Sequence, residues 1–132
     1  PAPQTIDRLP APQADLHSQA ILKALVGAAK ADGHLDARER EVIESEFRRI
    51  DTAADIQPWL HAELEKPLDP AEIARAATSP EIASEMYLAS VLVADETSFM
   101  ERSYLDELAR QLGIAPELKA NLEKEVRAAA GR

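Results

Sequence analysis

From about residue 15 to the end of the chain, large apolar side chains recur every three or four positions. That is the spacing of one face of an α-helix. Ile21, Leu25, Ala28 and Ala29, flanked by Leu22 and Val26, mark a first helix over about Asp15–Ala31. Gly33 ends it, because glycine most readily takes the positive φ of a helix stop. Asp36 is placed to cap a second helix, with Glu39 three residues on and an apolar face of Val42, Ile43, Phe47 and Ile50. A short helix over Gln57–Glu65 carries Trp59, Leu60 and Leu64, and Asp69-Pro70-Ala71-Glu72 opens another. Ser79-Pro80-Glu81 starts a fifth with Met86, Leu88, Val91 and Leu92. Ser98–Leu112 is a sixth, stopped by Gly113. Pro116 opens the last, whose stripe is Leu118, Leu122, Val126 and Ala129. No stretch alternates with a period of two. The pattern predicts an all-α fold, a compact bundle of about seven helices joined by short connections.

Residues 1–14 stand apart. They hold four of the nine prolines and few large apolar residues, which predicts a flexible, extended leader before a single helical domain over 15–132.

Two segments of the domain resemble each other. ALVGAAKADGHLDARERE and LASVLVADETSFMERSYL both run from an apolar helix through Ala-Asp and a polar joint to a Glu-Arg entering another helix. Asp32 corresponds to Asp95 and Glu39 to Glu101, with one residue fewer in the second joint. The bundle is therefore expected to rest on two related helix hairpins.

Helical spacing orients these acids. Asp32 extends the stripe of Ile21, Leu25 and Ala28, and Asp95 extends that of Leu88, Val91 and Leu92. Glu39 lies on the stripe of Leu35, Val42 and Ile43, and Glu101 on that of Tyr104, Leu105 and Leu108. All four are expected to face the interior, where a charged carboxylate needs a partner. A hard divalent cation, Ca²⁺ or Mg²⁺, is one candidate, held by Asp32, Asp36 and Glu39 with Asp95 and Glu101 as a second set. Helix capping is the other. Asp36-x-x-Glu39 and Ser98-x-x-Glu101 both have the form of a capping box, which needs no ion and explains both hairpins. An EF-hand is excluded, because a loop counted from Asp32 puts Ala37 at the glycine position and Ile43 at the bidentate glutamate.

Composition narrows the function classes. Hydrophobic residues make up 45% and charged residues 30%, as in a globular domain, and there is no cysteine for disulfides or thiolate metal sites. The net charge of −9, with no basic patch, argues against nucleic-acid binding. No apolar run reaches the ~20 residues of a spanning helix, so this segment is not expected to insert in a membrane. The chain begins with Pro1, and a targeting or anchoring segment upstream is expected. His17, His34 and His61 lack metal-ligand spacing and read as lone exposed residues. Trp59 reads as a core anchor or packing lid, and Glu123 and Arg127 as a solvated pair on the last helix. No nucleophile motif or phosphate loop is present, and no cofactor is required.

ILKALVGAAKADGHLDARERE and EMYLASVLVADETSFMERSYLDELARQLGIAPEL together resemble the YebE-like branch of the TerB-like (tellurite-resistance protein B-like) helical domains. The similarity runs over about Leu16–Val126. It implies a seven-helix bundle, a bacterial stress-response or envelope setting, and no established enzyme activity. It also implies a place in the cytoplasm or on the cytoplasmic face of the inner membrane, and an ion site on the acids named above. Glu96 stands where the first joint has Gly33, which sets the second joint apart from the family pattern. The expected function is a non-enzymatic module that contacts another protein, with a cation-responsive domain as the alternative.

Overall fold

The structure, a computed structural model, describes residues 11–33, 35–50, 55–94 and 98–130, without the side chains of 11–15, 32 and 130. Residues 1–10 of the expected leader lie outside it. Among the described residues there are seven helices and no strand: α1 (Ala11–Asp32), α2 (Ala37–Ile50), α3 (Ile56–Glu65), α4 (Pro70–Ala74), α5 (Pro80–Val93), α6 (Phe99–Leu112) and α7 (Pro116–Ala130). The fold is an all-α helical bundle. Its first helix begins at Ala11, four residues before the apolar spacing becomes regular at Asp15.

The helix ends follow local chemistry. Asp55, Asp69, Ser79 and Ser98 are N-caps, each accepting a backbone N–H from the first turn that follows. Pro70 and Pro80 sit in first turns, where a missing N–H costs nothing. Gly113 ends α6 at φ 74°, and Ile114 N–H reaches back to the Ala109 carbonyl at 3.0 Å, closing a left-handed cap. Gly33, at φ 88°, turns the chain out of α1.

Helix α1 is the axis of the bundle. It packs most extensively on α5 and α2, and also on α6, α4 and α3. Leu22, Ala24, Leu25, Val26, Ala28 and Ala29 are each no more than 2% exposed, so the helix is buried nearly all round and not along one stripe. A helix apolar on every side belongs at the centre. The two hairpins, α1/α2 and α5/α6, meet through their first helices. At that contact Ser90 Oγ lies 2.9 Å from the Met86 carbonyl and 3.3 Å from the Ala24 carbonyl of α1, so a fully buried hydroxyl is satisfied.

Four positions on the expected stripes are exposed, Ala129 among them. Leu64 is 39%, Leu92 44% and Leu118 42% exposed. On α5 the buried face is instead Ala83, Met86, Tyr87, Ser90, Val91 and Val93, because α1 and α7 approach it from different sides. Trp59 is half-buried, its ring 5.7 Å from that of Phe47 at 42°.

Candidate functional site

The first joint runs from the end of α1 to the first turn of α2. Asp36 and Glu39 form a reciprocal pair there. Asp36 Oδ1 accepts the Glu39 N–H at 2.7 Å, and Glu39 Oε1 accepts the Asp36 N–H at 3.0 Å. This is the capping box that the Asp-x-x-Glu spacing allows. Glu39 is 3% exposed and Asp36 is exposed. The Asp32 backbone closes α1, while its side chain and His34 lie outside the described residues.

The second joint repeats part of this geometry. Ser98 Oγ accepts the Glu101 N–H at 3.2 Å, and Glu101 is 1% exposed. Asp95 lies outside the described residues. Glu39 and Glu101 therefore both turn inward, as their helical register predicts. Among the described residues, no group of three or more His, Asp or Glu is arranged to hold a metal ion.

Two contacts tie the joints to the rest of the bundle. Arg38 Nη2 donates to the Leu92 carbonyl at 3.2 Å, so the start of α2 satisfies an end-turn carbonyl of α5 and links the hairpins. Lys30 Nζ donates to the Glu63 carbonyl at 2.8 Å. Burial lowers the Lys30 pKa, and the nearby Glu63 charge partly opposes this. Lys30 also lines a cleft of about 450 Å³ beside Gly33, whose other walls are Ala29, Leu35, Leu64 and Leu68.

A second polar cluster was not legible in the spacing. Tyr87, fully buried on α5, donates its hydroxyl to Glu123 of α7 at 2.5 Å. Lys119 Nζ reaches Glu123 at 2.7 Å and Asp106 of α6 at 3.0 Å, and it stands 6.0 Å from the centre of the Tyr87 ring. Glu123 is thus not a solvated partner of Arg127 alone. Burial raises its pKa, but the hydrogen bonds from Lys119 and Tyr87 outweigh this and the net shift is downward. The Lys119–Glu123 spacing of four was the available signal; Tyr87 could be found only from the fold. His17 likewise is not a lone residue, for it pairs with Glu85 on α5.

The Tyr104 hydroxyl is the counter-example. It is buried against α1 with no hydrogen-bond partner, and burial pushes its pKa well above the phenol range. A Cβ placed on Gly27 would meet that oxygen at 2.2 Å and Ile73 Cδ1 at 2.7 Å. Gly27 is what lets α6 and α4 approach the axis this closely.

A protein from Yersinia enterocolitica described as "Uncharacterized protein in ampR 5'region" is 34% identical over 113 residues, covering 86% of this chain and 81% of that protein. No solved structure matches the chain. The model of one family, described as protein of unknown function (DUF533), matches residues 1–126, both joints and the Tyr87–Glu123 pair included, and the chain belongs to that family.

Proposed function

We propose that this chain is a non-enzymatic helical interaction module of the TerB-like type, in its YebE-like branch, that contacts another protein in a bacterial envelope or stress-response system. The observation that carries this reading is an apolar surface at the second joint. Phe99 and Met100, consecutive in the first turn of α6, are 71% and 65% exposed, and Leu92 stands at the other side of the joint. Single exposed apolar residues are ordinary, but adjacent large ones mark contact surfaces. Asp36 and Glu39 of the first joint are meanwhile engaged in capping, which gives them a structural task.

The test is capture of a partner by the immobilised chain from a bacterial extract, followed by calorimetry with both proteins purified. The reading expects saturable binding that F99S/M100S weakens at least about tenfold, as for a contact hot spot, with the thermal midpoint unchanged. Turnover of a substrate by the chain alone, abolished in E39Q, would overturn it.

A second reading, a cation-responsive domain, draws on the burial of Glu39 and Glu101 at matching positions. It would use Asp32, Asp36 and Glu39, with Asp95 and Glu101 as the second set, and Ca²⁺ or Mg²⁺ as the ion. It ranks lower, because the Asp36 and Glu39 carboxylates already accept backbone N–H groups from each other's residues.

A further inference from the structure

Helix α7 is thinly attached. Of its side chains at 116–129 only Leu122 is buried, with Lys119, Glu123 and Val126 half-buried. Helix α5, of similar length, buries Ala83, Met86, Tyr87, Ser90, Val91 and Val93. α7 packs chiefly on α5, and clefts open on both sides of that contact. One, of about 170 Å³, is lined by Val91, Arg102, Leu105, Asp106, Lys119 and Glu123. The other, of about 240 Å³, is lined by Leu88, Ala89, Leu92, Glu125, Val126 and Ala129. The helix is held by Leu122, by half-buried Val126 against the core, and by polar bonds that include Tyr87 to Glu123 and Lys119 to Glu123 and Asp106. A helix of this length holds its shape through packing and not through propensity. Segments with few buried contacts open at a small fraction of the global unfolding free energy. The α6–α7 connection, 113–115, begins with Gly113 in the left-handed region, a ready pivot.

We propose that α7 is a displaceable cover, and that the strip of α5 and α6 beneath it, Tyr87, Val91, Leu105 and Asp106, is a docking site for an amphipathic helix of a partner protein. The occupant's chemistry is set by what the strip demands. A carboxylate must accept the Tyr87 hydroxyl, since a buried hydroxyl left unbonded is costly. A lysine or arginine four residues earlier must meet Asp106. A leucine just before the carboxylate must fill the space of Leu122. The partner helix therefore reads Lys/Arg-x-x-Leu-Glu/Asp, the pattern of Lys119, Leu122 and Glu123. This rests on the interaction-module reading but uses a surface apart from Phe99 and Met100.

The probe is a labelled synthetic peptide of residues 116–130, titrated with the full chain by fluorescence anisotropy. The native peptide competes with tethered α7 and binds weakly to the wild-type chain. Chains carrying Leu122→Asp or Glu123→Ala, which removes the acceptor of the Tyr87 hydroxyl, loosen their own α7, and both are expected to bind it at least about tenfold more tightly, because the intramolecular competitor is weakened. A peptide carrying L122D should bind none of these chains. Hydrogen exchange should show α7 amides opening at least about a hundredfold more often than those of α1, as expected of a low-stability unit. The proposal is overturned if α7 is protected as well as α1. It is equally overturned if folded E123A binds the native peptide no better than the wild type, or if the L122D peptide binds as well as the native one. The F99S/M100S chain should bind the peptide like the wild type. A failure here with partner capture intact removes this site and leaves the module reading standing.

Discussion

Asp36 and Glu39 each accept the other's backbone N–H, at 3.0 Å from the Asp36 amide and 2.7 Å from the Glu39 amide. Two of the donors that a helix start leaves open are thereby satisfied. Asp36 and Glu39 in this respect close the start of α2. D36A should destabilise the protein by about 0.5–2 kcal/mol, lowering the thermal midpoint by several degrees. D36N, which keeps an acceptor oxygen, should stay close to the wild type. S98A should behave like D36A, because Ser98 caps α6. Differential scanning calorimetry of the three variants checks this.

Gly27 and Tyr104 should be coupled. An alanine at 27 brings a methyl into the Tyr104 hydroxyl and Ile73, so G27A should cost about 1–3 kcal/mol by overpacking, against the ~1 kcal/mol gain expected of Gly→Ala in an open helix. Y104F removes a buried hydroxyl that lacks a partner, and should be neutral or stabilising. The double variant should recover part of the G27A loss. A double-mutant cycle in urea measures the coupling.

Acid should loosen the bundle at two carboxylates. The Glu72 pKa is lowered by the hydrogen bond from Lys23, and that of Glu123 is lowered on balance against burial by Lys119 and Tyr87. A carboxylate with a folded pKa below its ordinary 4.5 contributes stability that is complete above that value and is lost as the pH falls through the folded pKa. Stability should therefore decline with acid below about pH 4.5, and E123Q should flatten that decline. Chemical denaturation across pH 3–7 measures both slopes.

Arg38 joins the hairpins by one bond to the Leu92 carbonyl, at an exposed site. R38A should cost no more than about 1 kcal/mol, the usual worth of such a bond. Native-state hydrogen exchange should place the loss in the last turn of α5.

The helices were legible because their ends are written in short-range chemistry: Asp69-Pro70, Ser79-Pro80, Gly33 and Gly113 each act within a turn or two. The inward direction of Glu39 and Glu101 was legible for the same reason, since register alone orients a helical side chain. Long-range relationships were not. Tyr87 and Glu123 are 36 residues apart, and nothing in either neighbourhood names the other. Gly27 sits in a run of helix formers, and only the approach of Tyr104 shows why it is a glycine. Leu92 and Leu118 fit a helical stripe in the sequence, yet both are exposed, because spacing alone does not show from which side the neighbouring helices approach.

Glu39, the inward acid of the first joint, is on this reading a structural partner of the backbone and not an ion ligand. Titration of metal-free protein with Ca²⁺ and Mg²⁺ by isothermal calorimetry tests it most directly. The account expects no saturable heat and no shift of the thermal midpoint at millimolar ion. Saturable binding that E39Q abolishes, with stabilisation of about 2.7 kcal/mol at a hundredfold excess over Kd, would contradict it.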